Sequence, residues 1–380
     1  MGCIIEAKIL FRHTDYSATF FHPKVTLDQR SGSLVMTLQT IGGSDYYGPV
    51  RVSYSTDRGE SWSSPELISP LGSQKRNDGV TREGTCDVVP DYHPQTDTIL
   101  AIGHNVYYRN DGFLDTHQDF TNGKPEKQLQ RYGVYCVRDR SGNWSERRRL
   151  SFAEFSQNSS FVCGCTQKLL LPDGNLIIPF TFGNWDRKDR QCCSILCKFD
   201  GNEISLLKRG NILKLPVNRG LLEPSLATFA GKFYMTLRAE DQHGYFSVSE
   251  DGLNWGSIQA WRWEDGESLI VSTTQQHWME LGGKLYLIYT RDAGFNHHVI
   301  RWRAPLLMAE FDPHSGCLKK NSEQTVFPLR ERSPEAKETP LMGNFHPCRL
   351  SENEGIITVG ENIPSNYSSG NTLLARVKIQ

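Results

Sequence analysis

Leu221 to Trp255 reads LLEPSLATFAGKFYMTLRAEDQHGYFSVSEDGLNW, and this stretch decides the fold. Two short apolar runs, Leu226–Phe229 and Phe233–Leu237, flank Ala230-Gly231-Lys232, the composition of a tight turn between antiparallel strands. Glu223 stands just before the first run and Arg238 just after the second. In an antiparallel pair those positions share one end of the hairpin, so a carboxylate and a guanidinium can meet there. An exposed ion pair adds little stability, so a pair held at a strand end reads as site chemistry.

The same unit recurs along the chain. Polar starters at His22, Cys86, Thr166, Glu223, Gln276 and His346 each open a short apolar strand. A turn rich in Gly, Asp or Asn follows, then a second apolar strand. A loose repeat at this spacing suits a four-stranded sheet plus loops and predicts a propeller. The expectation is an all-β chain, a single six-bladed β-propeller domain over residues 1–380, with the starters at one mouth of its axis. Arg330 to Thr339 reads as a surface loop between blades five and six.

A second marker accompanies the strands. Ser55 to Trp62 fits S-x-D-x-G-x-x-W, Ser249 to Trp255 is one residue shorter, and Val137 to Trp144 keeps the Asp-to-Trp spacing. Asp accepts turn N–H groups, Gly supplies positive φ, and Trp packs the turn onto its blade. These residues are read as structural.

Composition excludes several classes. Forty-two basic against 43 acidic residues give no electrostatic case for nucleic acid. No apolar run approaches the roughly 20 residues of a membrane span. MGCIIEAKILFRH has none of the features of an export leader, so the expectation is a cytoplasmic protein, or a secreted or periplasmic one after removal of a leader. The ten cysteines lack paired CxxC spacing or nearby His partners, and are read as reduced, buried thiols without a metal. No cofactor is expected.

The S-x-D-x-G-x-x-W turn resembles the Asp-box of the sialidase (neuraminidase) superfamily, six-bladed propellers whose blade layout matches the whole chain. The likeness is strongest from Leu221 to Trp255. It implies that Glu223 partners the nucleophilic group and that Arg238 grips a substrate carboxylate. Asp45, on the loop ahead of the first Asp-box, stands where the family carries its acid/base. The chain departs from the family pattern at three places. Phe21-His22-Pro23 replaces an Arg-Ile-Pro motif, and Asn344-Phe345-His346-Pro347 stands where the nucleophilic Tyr falls. Asn296-His297-His298, followed by Arg301 and Arg303, occupies the region of the third arginine, and Arg291 ends the blade-five hairpin as Arg238 ends that of blade four.

The candidate catalytic residues are therefore Asp45, Glu223 and His346. The candidate substrate-binding residues are His22, Arg82, Asp87, His104, Arg238, Gln276, His277, Arg291 and His298. Arg82, with Glu83, reads equally as a solvated loop, and Asp87 equally as a strand start. His104, Gln276 and His277 are placed by position alone. Trp185, Trp261, Trp263, Trp278 and Trp302 are expected in the core, with one available for sugar stacking. The resemblance implies exo-acting hydrolysis of a carbohydrate with a terminal acidic, sialic-acid-like sugar. A polysaccharide lyase acting on uronic-acid sugars through His, and a non-catalytic glycan-binding propeller, are the alternatives.

Overall fold

In a computed structural model the stretch quoted above forms three strands, and a fourth follows directly after it. Leu222–Phe229 pairs antiparallel with Lys232–Arg238, which pairs with Gly244–Ser249, and the last pairs with Gln259–Ala260. Ala230 and Gly231 both have positive φ, 49° and 78°, the conformation whose twist matches the flanking strands of a two-residue hairpin. The structure describes residues 2–12, 19–43, 46–79, 81–109, 112–113, 129–184, 189–330 and 339–379.

Five further blades follow the same plan. Blade one comprises Phe20–Leu27, Leu34–Gly43, Arg51–Ser55 and Glu66–Leu67. Blade two comprises Thr81–His93, Thr98–Arg109, Arg131–Arg138 and Arg148–Arg149. In blade three the innermost strand is broken into Ser160–Val162 and Leu169–Leu170, both paired with Leu176–Gly183. Asp189–Phe199 and Ile204–Arg209 complete that blade. A short parallel pairing, Arg131 with Ser160 and Tyr132 with Phe161, joins blades two and three into one continuous sheet. Blade five runs His277–Leu281, Lys284–Tyr289, Leu306–Asp312 and Gln324–Phe327. Blade six takes Leu341–Arg349, Glu354–Ile363 and Asn366–Ile379 from the C-terminal end and Cys3–Arg12 from the N-terminal end. That last pairing, from Cys3 with Ile379 to Arg12 with Asn371, closes the ring.

The core confirms the count. Six apolar clusters lie between successive blades: Val52 with Val88 between one and two, Ile102 with Ile178 between two and three, and Ile177 with Met235 between three and four. Phe246 with Leu285 joins four to five, Ile288 with Val359 five to six, and Ile356 with Leu34 six to one. Each sheet thus buries both faces against neighbours and leaves its strand ends to the two mouths of the axis. Trp261, Trp263 and Trp278 are buried in the cluster between blades four and five, and Trp302 is half-buried elsewhere. Trp185 and Asp45 lie outside the described residues, as do residues 331–338 of the loop expected before blade six.

The turn motifs close on themselves. Asp57 accepts the Ser61 N–H at 2.9 Å, Ser55 Oγ accepts the Gly59 N–H at 2.7 Å, and Gly59 has a φ of 93°. Asp251 accepts the N–H groups of Leu253 and Asn254 at 2.9 and 2.7 Å, and the Trp255 indole donates to Ser194 Oγ on blade three at 2.8 Å. All ten cysteines are free thiols, eight of them buried.

Candidate active site

Five of the six inner strands carry an irregularity at the axial end, that of blade five pairing without a shift. The pairing register shifts between Phe21 and Lys24, between Cys86 and Val89, between Leu222 and Ser225, and between Gly343 and His346. At each bulge sits a non-glycine residue with left-handed backbone: His22 (54°), Asp87 (58°), Glu223 (45°) and Asn344 (52°). The break in blade three places Cys165 (61°) equivalently. A left-handed L-residue costs roughly 1–2 kcal/mol, and strain of this kind gathers at functional sites. All five residues line one cavity on the axis, of about 530 Å³.

The floor of the cavity is a buried polar network. Asp87 Oδ1 lies 2.9 Å from His22 Nδ1 and 3.6 Å from the fully buried Lys24 ammonium, and accepts a hydrogen bond from Asn344 Nδ2 at 2.8 Å. The same Asn344 nitrogen meets His22 Nε2 and lies 3.3 Å from Cys165 Sγ. Burial works to raise the Asp87 pKa, but His22 and Lys24 outweigh it and hold the carboxyl well below the usual range. Burial pushes the Cys165 thiol well up and, together with Arg131, pushes His104 down to about 3.

The wall is cationic. Glu223 Oε1 accepts from Arg238 Nη1 at 2.7 Å, while Glu223 Oε2 is buried without a hydrogen bond. Arg238 is oriented further by Thr273 Oγ1 at 3.1 Å and by Glu240 at 3.6 Å, and Glu240 also pairs with Arg219 at 2.6 Å. Arg303, from the connection between the second and third strands of blade five, is half-buried, and its buried Nε has no hydrogen-bond partner among the described residues. Burial, with Arg238 and Arg301 close by, pushes its pKa down to about 10. Arg131, Arg190, Arg219, Arg238, Arg301 and Arg303 all line the cavity, against the carboxylates of Asp87 and Glu223. Tyr47 also lines it, its ring 4.7 Å from that of His22.

Five of the residues singled out from the sequence are brought together here: His22, Asp87, His104, Glu223 and Arg238. Six are placed elsewhere. His346 is 5% exposed and packs its ring 5.6 Å from that of His277. The bulge gives the axial position of blade six to Asn344, two residues earlier. His277 is fully buried with Nδ1 at 2.9 Å from Ser225 Oγ, and Gln276 accepts from the Trp261 indole at 2.7 Å. Arg82 donates to Ser73 on the rim of blade two. Arg291 is held by Glu323 through two hydrogen bonds of 2.8 and 2.6 Å, so its guanidinium is not available for a carboxylate on the axis. His298 lines a second cavity with Arg301 and Trp302. Tyr47, Arg131, Arg190, Arg219, Cys165 and Asn344 were not found from sequence. Only Asn344 carried a signal, since Asn tolerates left-handed backbone better than most residues.

No family model and no curated protein sequence matches this chain. Solved structures do. A protein of unknown function from Dyadobacter fermentans superposes with a TM-score of 0.67 at 14% identity, over 100% of both chains. A Hadza microbial sialidase matches with a TM-score of 0.66 at 13% identity, over 97% of this chain and 68% of the other. An α-L-arabinofuranosidase from Fusarium graminearum matches with a TM-score of 0.56 at 12% identity, over 95% and 93%. At these identities the likeness establishes the fold: a β-propeller of the kind found in sialidases and arabinose-releasing glycosidases.

Proposed function

We propose that the protein is an exo-acting glycoside hydrolase that removes a terminal acidic sugar, sialic-acid-like in its carboxylate, from a glycan. The observation that carries this reading is the pairing of Glu223 with Arg238 beside Arg303, whose buried Nε has no hydrogen-bond partner among the described residues, in a cavity lined by six arginines. Six guanidinium groups against the two lining carboxylates Asp87 and Glu223 leave room for an anion, and the planar fork of Arg suits a carboxylate. The glycosidase folds among the structural neighbours add weight at the level of fold alone.

In this mechanism Arg238 and Arg303 hold the substrate carboxylate and orient the anomeric carbon. Glu223 Oε2, free of hydrogen bonds, takes the proton of the attacking group, and Asp45 protonates the leaving glycosidic oxygen. Tyr47, the one phenol among the described lining residues, is the candidate attacking group in place of the Tyr absent from blade six. A water is the alternative attacking group. The Asp87–His22–Asn344 network sets the floor against which the sugar ring rests.

The test is release of fluorophore from a fluorogenic sialic acid glycoside by wild type, Glu223→Gln and Asp45→Asn. Turnover abolished by both substitutions supports the reading, and turnover untouched by Glu223→Gln overturns it. The buried His22–Asp87 dyad favours one second reading, β-elimination from a uronic-acid glycan. That reaction announces itself by an unsaturated product absorbing in the ultraviolet.

A further inference from the structure

Three groups of the floor network converge on one oxygen of Asp87. His22, Lys24 and Asn344 all address Oδ1. The other oxygen, Oδ2, faces His104 Nε2 at 3.8 Å, and the same imidazole nitrogen lies 3.2 Å from Cys86 Sγ. One sulfur, one nitrogen and one carboxylate oxygen therefore sit within 4.8 Å of one another, each on a buried residue lining the cavity. Zinc ligand bonds of about 2.0–2.3 Å at tetrahedral angles put neighbouring ligand atoms roughly 3.3–3.8 Å apart. The observed separations depart from that by a few tenths of an ångström where they are known, within reach of a side-chain rotation.

The surroundings support these three ligands as a metal site does. Asp87 is fixed through its second oxygen, the outer contact that orients a ligating carboxylate. Gly164 packs directly on the pair: a Cβ there would stand 2.2 Å from His104 Nδ1 and 2.7 Å from Asp87 Cβ. Only glycine lets the Cys163–Cys165 segment cover both residues. Neighbouring main-chain positions supply Cys86 and Asp87, and the paired strand supplies His104 opposite Cys86. The triad is thus built from one rigid strand pair rather than from loops.

The geometry points to a site for a soft divalent cation of the zinc type on the cavity floor, held by Cys86 Sγ, Asp87 Oδ2 and His104 Nε2, with its fourth position open to the cavity. Binding displaces the Cys86 thiol proton to solvent and leaves thiolate, carboxylate and neutral imidazole around the dication. The open position is where a water or a substrate oxygen would coordinate. This site stands apart from the hydrolase reading, since neither needs the other.

The experiment uses the full chain, stripped with a chelator and then exposed to zinc chloride or cobalt(II) chloride alone. One zinc per chain should survive gel filtration. Cobalt should give the near-ultraviolet charge-transfer band of a thiolate ligand with the visible spectrum of a tetrahedral ion. Cys86→Ser should lose the band, and His104→Gln should weaken zinc binding by more than about 100-fold, beyond what loss of an outer contact does. Gly164→Ala, which displaces His104 while leaving all three ligands in the sequence, should lose the band as well and decides the matter if Cys86→Ser does not fold. Cys348→Ser, remote from the triad, should change nothing. A wild-type protein that binds no zinc or gives no thiolate band overturns the assignment. So does a band that persists in Cys86→Ser or Gly164→Ala.

Discussion

Glu223 and Arg238 meet at 2.7 Å across the axial end of the blade-four hairpin, yet only Oε1 of the carboxylate is engaged. Arg238 holds its position through Thr273 and Glu240 as well, so the guanidinium does not depend on Glu223 alone. Glu223→Gln keeps an acceptor for Arg238 and removes the base. The expected result is a loss of about 10²–10⁴ in turnover, the usual range for a general acid or base, with a melting temperature close to wild type. A variant that keeps its activity would remove Glu223 from the chemistry.

Arg303 gives the second prediction. It is half-buried close to Arg238 and Arg301, its Nε buried without a hydrogen bond among the described residues and its pKa pushed down to about 10. A partly desolvated charge packed near like charges is a liability, and an apolar side chain of similar length relieves it. Arg303→Met should stabilise the unliganded protein by about 1–3 kcal/mol. It should also abolish the stabilisation that a free carboxylated sugar gives the wild type. Thermal melts with and without N-acetylneuraminic acid read both effects. A destabilised variant that still responds to the acid would show that the carboxylate binds elsewhere.

The buried histidines between blades five and six set the response to acid. Burial, with Lys24 near, pushes His277 down to about 3, and burial with His277 and Lys24 holds His346 well below its ordinary value. Unfolded, both titrate near 6.5. The folded chain thus binds fewer protons than the unfolded chain below pH 6.5, and stability must fall as pH drops through that window. With His104, likewise pushed down to about 3, three protons set a slope of up to about 4 kcal/mol per pH unit, with no contribution from these groups above pH 7. Denaturant midpoints from pH 8 to pH 5 should trace this fall, and His277→Gln should flatten it by about a third. A pH-independent midpoint would mean that these rings are charged in the fold.

How much of this was legible in the sequence depends on how local each signal is. The hairpin turns and the alternation of apolar runs are short-range, so the strands, the six repeats and the Glu223–Arg238 pair could be read directly. The arginine wall could not. Arg131, Arg190 and Arg219 stand at strand ends or connections whose direction depends on the ring, and Arg303 reaches the axis from the long connection after Tyr289. Arg291 shows the converse. By repeat position it matched Arg238, but Glu323, just ahead of the last strand of its own blade, captures it. A carboxylate more than 30 residues away leaves no mark at position 291. In blade six the repeat was located correctly but its phase was not, because a bulge adds a residue without changing the apolar pattern.

That phase error yields the last prediction, since it opposes Asn344 to His346. Asn344 joins four blades: its Nδ2 meets His22, Asp87 and Cys165, and its Oδ1 accepts from Gln275 Nε2 at 3.0 Å. Asn344→Ala strips Asp87 and Gln275 of a buried partner, at about 1–3 kcal/mol, and keeps a Cβ in the left-handed region. Asn344→Gly loses the same contacts but relaxes the backbone, so it should be more stable than Asn344→Ala by about 1 kcal/mol. Both should release His22 and cripple turnover. His346→Gln, placed in the packing between blades five and six rather than on the axis, should alter the melting temperature and leave KM unchanged. Steady-state kinetics and melts on the three variants separate these roles. Loss of turnover in His346→Gln alone would restore the axial position to His346 and reverse the assignment.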